Sequence, residues 1–311
     1  MKFITLPSGV KFSEIALGAG RLGAADRELV CFAIMDRYAE LGGTTFDTAR
    51  LYSGGNCDIA LGKWLKTRDA RKNSTIITKG SHPDLQTMFV SRLSQQEIET
   101  DLDESLLAIG IDYSDVHIVH RDDVKKPIEE IAESLAYLVT SGKTRAVGVS
   151  NWAVPRIVKA IAYAKANNLP PIECSQAHYS LGLTTQHAFG EITQVPVCKI
   201  EANWYKESQF PLLAFSSQAK GWFVDNSKPG PNNMYGYYPE NIRRSKRLRK
   251  LSAETGYSIA ALTLAYARDS GLNCVPLCAF SSVSQLEDSL GALKFKLAKE
   301  QIKFLEHDEF D

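Results

Sequence analysis

Four residues of types that move protons stand at or just past the ends of three successive β-prone runs. Asp47 ends the run Thr44-Thr45-Phe46, and Tyr52 follows five residues later in what reads as a loop. Lys79 closes Thr75-Ile76-Ile77-Thr78, and His120 closes Val116-His117-Ile118-Val119. A carboxylate, a phenol, an ammonium and an imidazole at consecutive strand ends form a candidate proton-transfer site. A free phenol titrates near about 10, so at neutral pH it keeps its proton but is a poor acid. An ammonium beside it favours the phenolate and lowers that value. Asp47 is placed to pair with Lys79 and hold it. Singly, each has an ordinary role: Asp47-Thr48 as a turn or cap, Tyr52 as a half-buried aromatic, Lys79 as a surface charge. Their shared order and position carry the argument. His117 and His120 do not suggest a metal site, because strand positions three apart face opposite sides; His117 reads as a packing residue.

The elements that must position these residues alternate along the chain. Lys2-Phe3-Ile4, a Pro7-Ser8-Gly9 turn and Val10-Lys11-Phe12 predict a hairpin. Ile15-Ala16-Leu17 predicts the first barrel strand. A helix follows with Asp26 as N-cap and Val30, Ile34, Tyr38 and Leu41 as its stripe. A short helix over 59–65 separates the Asp47 and Lys79 strands. A polar loop at 81–94 precedes a helix striped by Ile98, Leu102, Leu106 and Ile109. Pro127 suits the first turn of a helix with Ile128, Ile131, Leu135 and Leu138 inward. Further strands are expected at Ala146–Val149, Ile172–Gln176, Pro211–Phe215 and Cys274–Leu277. Helices are expected through Ile157 and Ile161, over roughly 240–255 and 258–269, and from Val283. Residues 182–200 give no clear pattern. Eight strands alternating with helices, with no linker between halves, predict an α/β fold: one (β/α)8 TIM barrel over residues 1–311, opened by the hairpin. Chemistry in such barrels sits at the C-terminal strand ends.

Composition excludes broad function classes. The 311 residues carry 36 basic and 36 acidic side chains, which argues against an electrostatic footprint for nucleic acid or a membrane surface. The one strong charge run, Arg243-Arg244-Ser245-Lys246-Arg247-Leu248-Arg249-Lys250, reads as the solvated face of a helix. Six cysteines show no metal-type spacing. Cys274 and Cys278 lie roughly 13 Å apart on one strand, too far for a disulfide. Reduced thiols and an N-terminus without a signal-type apolar run lead us to expect a cytoplasmic protein. No apolar stretch reaches the length of about 18 needed to cross a bilayer.

Gly18-Ala19-Gly20-Arg21-Leu22-Gly23 spells GxGxxG after a strand, the fingerprint of a Rossmann dinucleotide site, with Asp47 as its ribose-binding acid. A Rossmann helix would begin within the glycines. Here Ala24, Ala25 and Asp26 intervene, and Tyr52, Lys79 and His120 would have no role.

Phe46-Asp47-Thr48-Ala49-Arg50-Leu51-Tyr52, with Lys79 and His120, resembles the FDTAxxY segment, lysine and histidine of the aldo-keto reductases. The resemblance implies a nicotinamide-dependent oxidoreductase acting on an aldehyde, ketone or sugar-type carbonyl, or on the matching alcohol. The cofactor supplies the hydride, because no side chain can. Tyr52 would be general acid/base, Lys79 its modulator, Asp47 the partner of that lysine, and His120 the orienter of the carbonyl oxygen.

The likeness spans nearly the whole chain. Gly148-Val149-Ser150-Asn151 is similar to the family's GVSN segment, so Ser150, Asn151 and Gln176 are expected at the nicotinamide carboxamide. Gly18 and Gly20 belong to the loop near the cofactor, with Asp47 beside it. Leu213-Ala214-Phe215-Ser216-Ser217 resembles LAYSP. That implies Phe215 stacked on the nicotinamide and Ser216, Ser217 and Gln218 at the pyrophosphate.

Residues 279–289 resemble GARSxxQLExN but depart from it. Ser281 replaces the Arg or Lys that grips the 2′-phosphate, and Ser289 replaces an adenine-contacting Asn. Ser282 and Gln285 remain as cofactor contacts, and they also spell a capping box. Loss of the guanidinium weakens discrimination for NADP over NAD. Family habit gives NADP as the expected cofactor, with NAD as the alternative.

Loops 81–94, 178–206 and 222–238 should wall the substrate pocket. Trp152, Trp204, Trp222, Tyr235, Tyr237 and Tyr238 could stack there on a sugar or a hydrophobic carbonyl, or pack the loops. A sugar or sugar-derived alcohol is one expectation. Rival functions are a redox-sensing subunit beside a membrane channel, as some family members are, and a cofactor-free isomerase or lyase. Oligomeric state is left open.

Overall fold

Residues 1–23, 25–189, 193–226 and 234–307 are described by the structure, a computed structural model. Short strands buried on both faces build its centre, as a parallel sheet covered by helices requires. These are β3 (Ala16–Gly18), β4 (Thr45–Asp47), β5 (Thr75–Gly80), β6 (Ser114–Val119), β7 (Thr144–Ser150), β8 (Ile172–His178), β9 (Leu212–Phe215) and β10 (Cys274–Cys278). Each pairs in parallel with the next, and β10 pairs with both β9 and β3, so the sheet closes into an eight-stranded barrel. That closure rules out the open sheet of a Rossmann domain. The GxGxxG stretch is a strand end and turn.

The antiparallel hairpin β1 (Phe3–Thr5) and β2 (Lys11–Ser13) plugs one barrel end. Its Leu6, Val10 and Phe12 join Ile77, Val116, Ile118, Ala146, Cys174, Leu213 and Val275 in one apolar cluster. Side chains two apart on a strand share a face. Stepping up from this layer therefore leads from Ile77 to Lys79, from Cys174 to Gln176, and from Leu213 to Phe215. The apolar filling at the plugged end and the polar residues at the other are one alternation continued.

Helices α1 (Glu28–Glu40), α2 (Asn56–Thr67), α3 (Gln95–Ile109), α4 (Ile128–Thr140) and α5 (Val154–Ala166) surround the first half. Around the second half lie α6 (Lys199–Ser208), α7 (Pro239–Thr255), α8 (Ile259–Asp269), α9 (Val283–Leu290) and α10 (Lys299–Glu306). The α3 boundaries follow from local chemistry. Ser94 and Glu97 form a reciprocal capping box, and Gly110 ends the helix in the left-handed region at φ +76°. Its Ile98, Leu102, Leu106 and Ile109 are buried. Gly62 on α2 lets the two helices meet, since a Cβ there would stand 2.2 Å from the Ile109 carbonyl oxygen.

Several expectations need correction. Asp26 lies in a single 3-10 turn and caps nothing; α1 begins after Arg27, which makes no side-chain cap. Its buried stripe is Cys31, Ile34, Met35 and Tyr38, while Val30 is exposed. Pro127 is the N-cap of α4 and precedes its first turn. The 243–250 run is not wholly a solvated face. Arg244 and Arg247 are buried, Arg244 donating to the Leu181 carbonyl at 2.7 Å and Arg247 pairing with Glu240. Helices α6 and α10 fall outside the expected helices. Residues 190–192 and 227–233 of the candidate wall loops lie outside the described residues.

Burial gives the fold a pH dependence. It pushes His117 and His178 down to about 3, and drives His120 well below the ordinary histidine value. A folded value below the unfolded one means that the unfolded chain binds more protons as pH falls below about 6.5. Stability present above that pH is lost below it, by about 1.4 kcal/mol per histidine per pH unit. Urea midpoints measured at pH 7 and pH 5 should fall accordingly.

Candidate active site

At the barrel end opposite the hairpin lies a cavity of about 860 Å³, within the range of small-molecule sites. Its wall includes Asp47, Tyr52 and His120. Lys79 lies beneath the wall and is fully buried. Its Nζ donates to Asp47 Oδ1 at 2.6 Å and stands 4.9 Å from the centre of the Tyr52 ring. Asp47 Oδ2 accepts from Gln176 Nε2 at 2.8 Å, so both carboxylate oxygens are engaged. The Tyr52 and His120 rings meet edge-on, with centres 5.8 Å apart. Backbone bonds fix this spacing. Thr48, Arg50 and His120 donate their N–H groups to the carbonyls of Ile77, Lys79 and Gly80, so the flanking segments are hung from the top of β5.

Burial raises the Tyr52 phenol above its ordinary value. The Lys79 ammonium pulls the other way, as charge and as hydrogen-bond partner. The expectation that the ammonium lowers the phenol thus has the right sign for that contact and the wrong net direction. Tyr52 is only half-buried, its ring opening to the cavity, so water there moderates the effect. Burial opposes the Lys79 charge more than any one contact favours it, but Asp47 and Tyr52 together outweigh burial and hold the ammonium above its usual range. Burial, with Arg121 and Lys79 nearby, keeps His120 neutral, and its Nδ1 has no hydrogen-bond partner among the described residues.

The residues expected at the cofactor divide into wall and support. Gly20, Ser150, Asn151, Gln176, Phe215, Ser216, Ser217, Gln218, Gln285 and Ser289 line the same cavity. Asn151 takes φ +60° and donates to Ser150 Oγ at 3.0 Å. Gln218 Nε2 donates to Ser289 Oγ at 2.9 Å, and Ser217 Oγ to the Leu277 carbonyl at 3.0 Å. Ser281 and Ser282 do not line the cavity. Ser282 accepts from Gln285 N and caps α9. The return half of the expected box shifts by one residue, with Gln285 Oε1 accepting from Ser281 N. An aromatic face, amide groups and hydroxyls along one elongated wall suit a dinucleotide's ring, carboxamide and phosphates.

Of the two roles open to the loop aromatics, packing is the one the structure shows. Trp152, Trp204, Trp222, Tyr235, Tyr237 and Tyr238 are absent from the lining. Trp152 and Trp222 are buried packing residues, Tyr235 bonds His178 at 2.8 Å, and Tyr237 is exposed. Residues missed in the sequence include His82, Arg121, Gln194 and Lys220, all in the wall. His82 and Arg121 follow the Lys79 and His120 strand ends within three residues, a signal available from the barrel rule alone.

Replacing Lys79 by Met leaves the buried Asp47 carboxylate without its cation. We expect a loss of about 3–5 kcal/mol, read as a fall in the chemical-denaturation midpoint at neutral pH.

Comparison with known proteins agrees with this geometry. The sequence profile of the Aldo/keto reductase family matches residues 14–307. An aryl-alcohol dehydrogenase of Pestalotiopsis microspora is 26% identical over 96% of this chain and 79% of that protein. A norsolorinic acid reductase of Aspergillus flavus is 25% identical over 99% and 80%. An aldo-keto reductase of Schizosaccharomyces pombe, named for NADP(+), is 26% identical over 87% and 80%. The barrel superposes on a thermostable aldo-keto reductase crystallised with the inhibitor epalrestat, with a TM-score of 0.76 at 21% identity, covering 98% of this chain and 99% of that one. With a family profile spanning nearly its full length, the chain belongs to the aldo/keto reductase family.

Proposed function

We propose that Tyr52 exchanges the proton when this oxidoreductase interconverts a small carbonyl compound and its alcohol. The supporting observation is the sealed Lys79–Asp47 pair beneath a phenol that opens to the cavity. Bound in that cavity, a nicotinamide supplies or accepts the hydride. Tyr52, protonated at neutral pH, gives its proton to the developing alkoxide. Lys79, held by Asp47, stabilises the phenolate left behind. His120, neutral, donates a hydrogen bond to the carbonyl oxygen and orients it. Phe215 would offer a face to the nicotinamide, and Ser150, Asn151 and Gln176 would hold its carboxamide. A redox-sensing subunit would keep the cofactor wall but leave the Tyr52 proton set without work, and a cofactor-free isomerase would leave the cofactor wall without work.

For the cofactor we favour NADP. Ser281 lacks the expected guanidinium, yet two guanidiniums reach it from the loop after β3. Arg21 Nη1 donates to Ser281 Oγ at 2.8 Å, and Arg27 donates to the Ser281 carbonyl. Arg21 also lines the cavity and is exposed, so it is available to a 2′-phosphate. For the substrate we favour a small hydroxylated carbonyl over an aryl one. His82, which packs on His120, and Arg121 give the wall near Tyr52 a polar character.

Four measurements test this. Tyr52→Phe should abolish turnover while dinucleotide binding, followed by fluorescence, is kept; retained turnover removes the proposed acid. Because reduction needs the phenol and oxidation the phenolate, carbonyl reduction should fall and alcohol oxidation rise as pH climbs through the Tyr52 value. Arg21→Ala should weaken NADPH binding by about tenfold, roughly 1.4 kcal/mol, and leave NADH binding unaltered. Equal losses for both dinucleotides would place the 2′-phosphate elsewhere. Turnover with benzylic alcohols in preference to polyols would reverse the substrate assignment.

A further inference from the structure

Asp101 is a carboxylate with an unusual place: it sits on α3, 1% exposed, behind the strand that carries Lys79. Its Oδ2 accepts from the Ser81 backbone N–H at 2.7 Å. Its Oδ1 accepts from Arg92 Nη2 at 2.5 Å and lies 3.1 Å from Arg50 Nε. Three chain segments therefore converge on one side chain. Ser81 lies two residues past Lys79, Arg50 lies two residues before Tyr52, and Arg92 ends the loop that starts at Ser81. Gly80 makes the approach possible, because a Cβ there would stand 2.6 Å from the Asp101 Cβ. Ser81 turns at φ +63°, which points its N–H at the carboxylate.

We propose that Asp101 is a positioning residue that sets the spacing between Tyr52 and Lys79. Packing alone would be served as well by an apolar side chain, without the cost of burying a charge. What the carboxylate adds is a tie between two segments that no other described side chain joins in this way. Arg50 is held at both ends: its N–H donates to the Lys79 carbonyl at 3.1 Å, and its guanidinium reaches Asp101. The chain from Arg50 to Tyr52 is thus locked to the Lys79 strand by backbone and side chain together. Glu104 shares Arg50 from the rim, and Asp84 and Glu97 act on Arg92, so the charges around Asp101 are two cations backed by three outer acids. Facing Tyr52 itself are Lys79, Asp47, His120 and Arg121. None of these four bonds Asp101, so the influence on the phenol runs through geometry.

This inference rests on the assignment of Tyr52 as the acid, and the experiment separates the two. Asp101→Asn keeps an acceptor for Ser81 but loses the charge that holds Arg50. Arg50→Met, on the half-exposed rim, removes the same tie where the buried substitution fails to fold. For either variant we expect kcat to fall by about 10²-fold, the order that follows a small misplacement of reacting groups. NADPH affinity, read by fluorescence, should be unchanged. With Lys79 coupled less closely to the phenol, the limb of the pH profile for alcohol oxidation should move to higher pH. Loss of kcat with an unmoved limb, or with affinity lost in parallel, overturns the proposal, because both mark a structural role only. If Tyr52→Phe keeps turnover, the acid assignment falls and the clamp with it. If Tyr52→Phe is inactive while Asp101→Asn and Arg50→Met behave as the parent, the clamp alone falls.

Discussion

An ammonium with no exposure to water is tolerable only with a partner, and Lys79 has one carboxylate at 2.6 Å. That requirement organises the top of the barrel. Asp47 must end β4 pointing inward, Gln176 must reach across from β8 to occupy its second oxygen, and β5 must hold its register with both neighbours. Desolvation of two charges is expensive, and removing either partner is more so. The pair therefore acts as a constraint on geometry before it acts on any proton. The backbone bonds from Thr48, Arg50 and His120 to the β5 carbonyls then carry that constraint to the loop bearing Tyr52 and to the histidine.

The plugged end makes this arrangement possible. Leu6, Val10 and Phe12 close the barrel below the Ile77 layer, so the polar layer above has a dry floor. In a drier, less polarisable floor the Lys79 charge is felt more strongly by its neighbours than it would be in water. The same dryness explains why Tyr52 rises despite its ammonium, and why His120 stays neutral.

Much of this was legible in residue order. Strand positions and the inward stripes of α3 and α4 follow from periodicity, and the four proton-moving residues share strand ends. What escaped did so for physical reasons. The α6 segment, Lys199–Ser208, is polar and mostly exposed, with only Tyr205 buried, so it lacks an apolar period. Arg244 and Arg247 looked solvated because composition cannot show that the Leu181 and Leu305 carbonyls wait opposite them. The loop aromatics left wall and packing both open, because residue order cannot show that Tyr235 meets His178 or that Trp222 packs on Phe223. The relation of Arg21 to Ser281 joins residues 260 positions apart, which no local pattern encodes.

The contrast between exposed Arg21 and sealed Lys79 has a consequence for how dissolved ions act on this protein. Mobile ions screen charges at the surface within about 8 Å at physiological ionic strength, and reach a dry interior poorly. Added potassium chloride would compete at the guanidinium and leave the interior pair untouched. On the proposal that Arg21 meets the 2′-phosphate, salt should loosen that grip while the bond-making step keeps its pace.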